Sequence, residues 1–287
     1  MRVIKFKNRI LDFNKKIKII TQQENVSCSD ADVISYFSKP EFSEVNLATY
    51  LSDLNIAYND LKEYTCNYIT ALKSLDVYNK FALLNLPIGN TATQRKFNFI
   101  DPQDTDSAFR CTFGGSISMN SFGIQGAYNG FIDTKYTPSV ETDVDNFGYF
   151  YYNRTTPSGT GTHGVTDTVF NQIRQFGAFN GSILGSTSTL IAYSGSFSRN
   201  VLLRAYSGGY QFYANNLSVG TYTGAGRALT ASKFYFMARN NSNKGIFDPT
   251  RDQISMFGIL SQSVSDSEAL SIINLNNTYL SNLGLSI

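Results

Sequence analysis

Hydrophobic residues change their spacing once along this chain, near Pro87. Between Ser43 and Asn85, apolar or large residues recur in alternating steps of four and three: Leu47, Leu51, Leu54, Tyr58, Leu61, Tyr68, Leu72, Leu75 and Ala82. Thr65 and Asn79 fall on the same seam. A heptad register held over about five repeats has the period of a left-handed coiled coil. Leu47, Leu54, Leu61, Tyr68, Leu75 and Ala82 take its d positions, and Leu51, Tyr58, Thr65, Leu72 and Asn79 its a positions. A two-stranded zipper places Glu and Lys beside such a seam; here the flanks read Tyr50, Ala57, Tyr64, Ala71 and Tyr78, with Ala48, Ile69 and Leu83. So wide an apolar face predicts three or more helices, or a helix packed on another element. Unbroken, the helix is a stalk about 60 Å long. The alternative is an antiparallel helical hairpin broken near Asn55 or Asn67. Upstream, Ser29 followed by Asp32 opens a short helix that ends before Pro40.

Pro87–Thr93 reads as a linker, and beyond it aromatic and Gly-rich alternation takes over. Strands are expected at Lys96–Ile100, Phe109–Phe113, Ser116–Phe122, Phe131–Tyr136, Phe147–Arg154, Asp167–Phe176, Leu190–Tyr193, Asn200–Tyr206, Gly209–Ala214, Lys233–Arg239 and Gln253–Leu260. Short strands in this number indicate a sandwich or jelly roll rather than an α/β fold. One helix closes the chain. Ser265-Asp266-Ser267-Glu268 is a capping box, the apolar face carries Ala269, Ile272, Ile273, Tyr279 and Leu280, and Gly284 stands where a C-cap belongs. The expected fold class is therefore α+β: an N-terminal helical, coiled-coil stalk followed by an antiparallel β-sandwich jelly roll with a C-terminal helix. The expected divisions are residues 1–40 as an anchoring arm with a short helix, 41–87 as the stalk and 88–287 as the sandwich.

Composition supports a packed chain with many turns. Hydrophobic residues make up 42% and charged residues only 16%, with 18 Tyr, 22 Phe and no Trp. The net charge of +2 conceals a basic arm: Arg2, Lys5, Lys7, Arg9, Lys15, Lys16 and Lys18 stand against Asp12 alone in residues 1–20. Apolar residues interleave with these charges, so the arm is suited to docking on an acidic protein surface, nucleic acid or an anionic membrane. No stretch reaches the roughly 20 apolar residues of a membrane span, and the N-terminus lacks the h-region of a secretory signal. Cys28, Cys66 and Cys111 are odd in number and widely spaced, which argues against a disulfide framework or a zinc site and for cytosolic synthesis.

Two segments resemble a known family. The run Ile124–Tyr136, with Asn129-Gly130 and Thr134, followed by a strand ending in Arg154, resembles the early strand pair of concanavalin A-like/laminin-G-like domains of tailed-phage structural proteins. The closing strand Ile254–Leu260, then Ser265–Ala269 and Tyr279-Leu280, resembles that family's final strand and helix. The resemblance covers roughly residues 95–287 and implies a head-fibre, tail or capsid-decoration protein, present in the virion and contacting proteins or a host surface glycan. Together with the seam it implies a homotrimer, oligomerising through Leu47, Leu51, Leu54, Tyr58, Leu61, Thr65, Tyr68, Leu72, Leu75 and Asn79, whose arm docks on other virion proteins.

Candidate chemistry is sparse. Glu141, Asp143 and Asp145 offer alternate carboxylates of the kind a sandwich glycosidase uses, but they lie in a loop entering a strand. His163, the one histidine, sits in a Gly/Thr-rich loop with no nucleophile elbow. Asp101, Asp104 and Asp106 could supply oxygens to calcium, or form a solvated acidic turn. Tyr149, Tyr151, Tyr152, Tyr206, Tyr210, Tyr213 and Tyr222 could stack on sugar, or fill the core. The expectation is a non-enzymatic adhesion protein without a cofactor; the alternatives are a carbohydrate-active hydrolase on the same sandwich and a monomeric lectin.

Overall fold

The computed structural model describes residues 28–155, 162–166, 172–176, 181–185, 191–192, 200–223, 229–241, 245–247, 249 and 251–286. The arm residues Arg2, Lys5, Lys7, Arg9, Lys15, Lys16 and Lys18 lie outside them. The fold is α+β, with two sheets packed face to face and helices over the outer face of one of them.

The sheet that carries both layers has the strand order β13-β12-β11-β6-β17-β4-β3, with β1 also pairing β17. Its members are β1 (Phe81–Asn85), β3 (Ile117–Asn120), β4 (Gly123–Gly126), β6 (Gly148–Asn153), β11 (Asn200–Tyr206), β12 (Gly209–Ala214), β13 (Leu217–Thr223) and β17 (Gln253–Leu260). Every residue of β6, β12 and β17 is buried, because both faces of this sheet are covered. Side chains alternate between the two cores. Tyr149, Tyr151, Val201, Leu203, Tyr210, Phe212, Phe257 and Ile259 face the second sheet. Phe150, Tyr152, Leu202, Tyr213, Met256 and Leu260 face the helices. The second sheet comprises β2 (Thr112–Gly114), β5 (Phe131–Asp133), β7 (Thr162–Thr166), β8 (Gln172–Phe176), β9 (Gly181–Gly185), β10 (Ile191–Ala192), β14 (Tyr235–Phe236), β15 (Arg239–Asn241) and β16 (Gly245–Phe247). It runs β10-β9-β8-β7-β14-β5-β2, with β15 parallel to β7 and paired to β16. Ile132, Tyr136, Phe234 and Phe236 form part of the core between the sheets.

The helix layer is made of α1 (Ala31–Phe37), α2 (Ala48–Leu54), α3 (Tyr58–Ser74) and α6 (Asp266–Asn282); α4 (Ala92–Arg95) and α5 (Pro138–Glu141) are single turns. Asp30 caps α1, accepting from the amides of Asp32 and Val33 at 3.0 and 3.4 Å. The expected continuous stalk is absent. Asn55 adopts a left-handed conformation (φ 53°) and ends α2, and α3 starts three residues later. Asparagine tolerates this conformation, so the break costs little. The chain leaves the helix again after Ser74, which places Leu75 and Asn79 on the surface and puts Ala82 in strand β1.

The rest of the seam faces inward. Leu47, Leu61, Thr65, Tyr68 and Leu72 are buried, Leu51 nearly so, and Leu54 and Tyr58 pack at the edge of the same core. Its partner is α6. The rings of Tyr68 and Tyr279 stack 4.7 Å apart, Tyr68 Oη donates to Asn276 Oδ1 at 2.7 Å, and the hydroxyls of Thr65 and Tyr279 lie 2.9 Å apart. A heptad seam requires a complementary apolar face, and α6 supplies one to Thr65 and Tyr68 from the same chain.

Two other expectations change for related reasons. Pro87, Ile88 and Gly89 are buried rather than forming an exposed linker. Pro87 O accepts from Tyr50 Oη at 2.5 Å, and Gln94 Nε2 donates to the carbonyls of Glu41 and Asn46. Arg95 is fully buried, donating from Nη1 to Leu86 O (3.1 Å) and from Nη2 to Ser255 O (2.5 Å), and burial lowers its pKa to about 10. The helices and the sandwich thus share one core across the expected boundary at residue 87. Lys96–Ile100 is not a strand, because Asn98 bonds in place of a ladder, accepting from Leu84 N and donating to the carbonyls of Ala82 and Ala108.

Cys28 and Cys66 form a disulfide (Cα–Cα 5.7 Å), against the expectation from their spacing, and Cys111 is free and buried. Lys73 bridges Asp30 and Asp32 beside it, each at 2.7 Å, so α1 is fastened to α3 twice. A cross-link over 38 residues of separation is worth about 3–4 kcal/mol by loop-closure entropy. Cys28→Ser is expected to lower unfolding free energy by about that amount in urea melts, and reductant should do the same to the native sequence but nothing further to the variant.

Candidate functional site

An open concavity lies where the last turns of α6 pass the ends of β11 and the β12–β13 hairpin. It is a groove of about 550 Å³ lined by Tyr152, Asn200, Asn215, Asn216, Asn277, Thr278, Ser281, Asn282 and Ser286. Its geometry follows from three local features. Asn215 and Asn216 both have positive φ (49° and 67°), the two-residue type I′ turn that suits the twist of a hairpin. They project beyond the sheet toward α6. Secondly, α6 is fixed at its N-terminus. Glu268 N donates to Ser265 Oγ at 3.3 Å and Ser265 N to Glu268 Oε2 at 2.7 Å, while Lys80 holds Glu268 Oε1 at 2.7 Å. Thirdly, Gly284 (φ 68°) turns the chain back at the C-terminal end of α6, and Leu285 N donates to Leu280 O at 2.7 Å. Arg154 donates to the Leu285 carbonyl, so the tail forms a fixed wall.

Side-chain amides cross the groove floor in one direction. Asn200 Nδ2 donates to Asn277 Oδ1, Asn277 Nδ2 to Asn216 Oδ1 at 3.1 Å, and Asn216 Nδ2 to Asn274 Oδ1 at 2.9 Å. A primary amide has two N–H donors and two acceptor lone pairs, so Asn277 and Asn216 each keep one N–H and one lone pair beyond this relay. Thr278, Ser281, Asn282 and Ser286 are exposed along the rim. Among the described residues the lining carries no carboxylate, imidazole, thiol or cation. It can form hydrogen bonds and exclude water; it holds no acid–base pair and no nucleophile–base pair.

At the opposite end of α6, Arg204 on β11 donates from Nε to Tyr213 Oη (3.0 Å), from Nη1 to Val264 O (2.9 Å) and from Nη2 to Gln211 Oε1 (2.9 Å), and also reaches Asp266. Tyr213 Oη donates to Asp266 Oδ1 at 2.5 Å. This hydroxyl, with Arg204 behind it, holds the Asp266 carboxyl below the usual carboxylate range against a smaller opposing effect of burial.

The residues singled out from sequence do not gather here. Glu141 ends α5 and is exposed, Asp143 is exposed in the loop after it, and Asp145 precedes β6. His163 is not in a loop: it lies in β7 (Thr162–Thr166), opposite Gln175 of β8 (Gln172–Phe176). Asp104 and Asp106 are engaged by cations, Lys96 with Asp104 at 2.5 Å and Arg110 with both at 2.9 Å, which keeps both carboxyls below their usual range. Among the described residues no group of three or more His, Cys, Asp or Glu side chains is placed to hold a metal ion. Tyr149, Tyr151, Tyr152, Tyr210 and Tyr213 are core residues, and only Tyr152 reaches the groove. The asparagines were not foreseen as a site. The signals for them are Asn215-Asn216 between two apolar runs and the polar stripe Asn274, Asn277, Thr278 and Ser281, spaced three and four apart on the face of α6 opposite Ile272 and Ile273.

No protein-family model matches the chain, and no curated protein does. Among solved structures, it is similar to the binding domain of botulinum neurotoxin DC in complex with rat synaptotagmin II, at 14% identity over 69% of this chain and 52% of that one (TM-score 0.46). Botulinum neurotoxin type C, described as entering cells through two ganglioside molecules, gives 13% identity over 71% and 52% (TM-score 0.48). Domain 4 of AbnA, an extracellular arabinanase of Geobacillus stearothermophilus in complex with arabinotriose, gives 10% identity over 68% and 98% (TM-score 0.46). The chain spans about half the length of the neurotoxin chains it matches.

The depressed Asp266 carboxyl has a consequence for pH. A carboxyl whose folded pKa lies below its unfolded value contributes stability above the ordinary carboxylate range and loses it as pH falls through the folded value. Melting temperature is therefore expected to drop between neutral pH and about pH 3, and Asp266→Asn should show a smaller drop over that window because this contribution is already gone at neutral pH.

Proposed function

We propose that the chain is a non-catalytic adhesion and structural protein whose β-sandwich contacts glycan through the groove beside α6. The observation that carries this reading is the groove lining: amides and hydroxyls from four separate segments, held by an amide relay, without a carboxylate, imidazole or thiol among the described residues. Sugar hydroxyls both donate and accept, and side-chain amides and hydroxyls can meet both roles.

The same proposal sets the protein in a tailed-phage virion, which the sequence resemblance of residues 95–287 supports. It keeps the basic arm Arg2–Lys18 as the segment that docks on other virion proteins, because its charge and interleaved apolar residues suit an acidic protein surface. Trimerisation through the Leu47–Asn79 seam is not proposed, since Leu47, Leu61, Thr65, Tyr68 and Leu72 are buried within the chain itself.

Binding to an array of immobilised glycans, coupled to an assay for released reducing ends, tests the reading. Saturable binding without turnover, unchanged by Glu141→Gln, is the expected result. Accumulation of reducing ends that disappears in Glu141→Gln would contradict it and restore the hydrolase.

A further inference from the structure

The charge around the groove narrows what it takes. None of its lining residues is charged. Helix α6, Asp266–Asn282, contains no Lys or Arg, and its acidic residues, Asp266 and Glu268, both lie in the first turn and are paired there with Arg204 and Lys80. The groove lies at the other end of this 17-residue helix. Aligned peptide dipoles give that end a partial negative charge of about half an electron, which cationic side chains in the last turn ordinarily offset. Here none does. Arg154 lies close by along the chain, but its guanidinium is engaged with the Leu285 carbonyl and lies 5.0 Å over the Phe122 ring.

We infer that the α6 groove binds uncharged saccharides and rejects those bearing a carboxylate, such as sialic or uronic acids. A neutral sugar hydroxyl both donates and accepts, which matches the one N–H and one lone pair that Asn216 and Asn277 each keep. A carboxylate brought into the groove gives up water, meets the negative end of α6 and finds no cation among the described lining residues to replace the solvent. This selectivity rests on the glycan reading given above.

The test uses the full chain on an array of paired neutral and sialylated or uronate-bearing glycans, with the same pairs followed in solution by saturation-transfer NMR. Binding to neutral members only, weakened about tenfold by Asn277→Ala in protein whose circular dichroism shows the native fold, is the expected result. Asn282→Lys places a cation at an exposed position of the last turn, where it suits the helix dipole and leaves the fold intact. It should allow a sialylated member to bind. Tighter binding of acidic than neutral glycans by the native chain would overturn the selectivity while leaving the glycan reading standing. Neutral binding indifferent to Asn277→Ala and Asn216→Ala would overturn the assignment to this groove. Binding to no glycan at all would overturn the glycan reading itself.

Discussion

Everything on the helical side of this protein depends on the contact between α3 and α6, two helices separated by almost 200 residues of sandwich. Tyr68 stacks on Tyr279, and the polar atoms these rings bring into the core are satisfied across the interface, Tyr68 by Asn276 and Tyr279 by Thr65. A buried hydroxyl without a partner costs about 1–3 kcal/mol, so the contact is selective as well as adhesive. Another register would part the Tyr68 hydroxyl from Asn276 and the Tyr279 hydroxyl from Thr65 in an apolar layer.

Strands β6, β12 and β17 of the first sheet are buried on both faces beneath that contact. Helices α3 and α6 cover Phe150, Tyr152, Leu202, Tyr213 and Met256, while the second sheet covers Tyr149, Tyr151, Leu203 and Phe257. The position of α6 also creates the groove. Its N-terminus is held by the Ser265–Glu268 box, Lys80, Arg204 and Tyr213, and its C-terminal turns are thereby carried past the Asn215-Asn216 hairpin. Fold and candidate site share one device: the helix that seals the core displays its opposite, amide-rich face to solvent beside the sheet end.

Much of this was legible in the sequence, and the failures have physical causes. The bounds Asn200–Tyr206, Gly209–Ala214 and Gln253–Leu260 match β11, β12 and β17, and the capping box and Gly284 mark the ends of α6 as found. These signals are local. Heptad spacing, in contrast, reports an apolar stripe and says nothing of what covers it; Leu61, Tyr68 and Leu72 look the same whether the partner is a second copy or a distant helix of the same chain. Strand β1 was absorbed into the heptads because Phe81, Leu83 and Leu84 are buried from both sides and show no alternation. The Cys28–Cys66 bond was missed because spacing along the chain carries no information once α1 folds back on α3. The groove was hidden for a related reason: Asn200, Asn216 and Asn277 each read as an ordinary turn or surface residue until tertiary structure brings them together.

A double-mutant cycle between Tyr68→Phe and Asn276→Ala, measured by urea unfolding at two protein concentrations a hundredfold apart, tests the intramolecular seam most directly. The account predicts a coupling energy of about 1–2 kcal/mol between the two substitutions, the same at both concentrations. Additive effects, or a coupling that grows with concentration, would contradict it, because the seam of α3 would then have a partner other than α6 of its own chain.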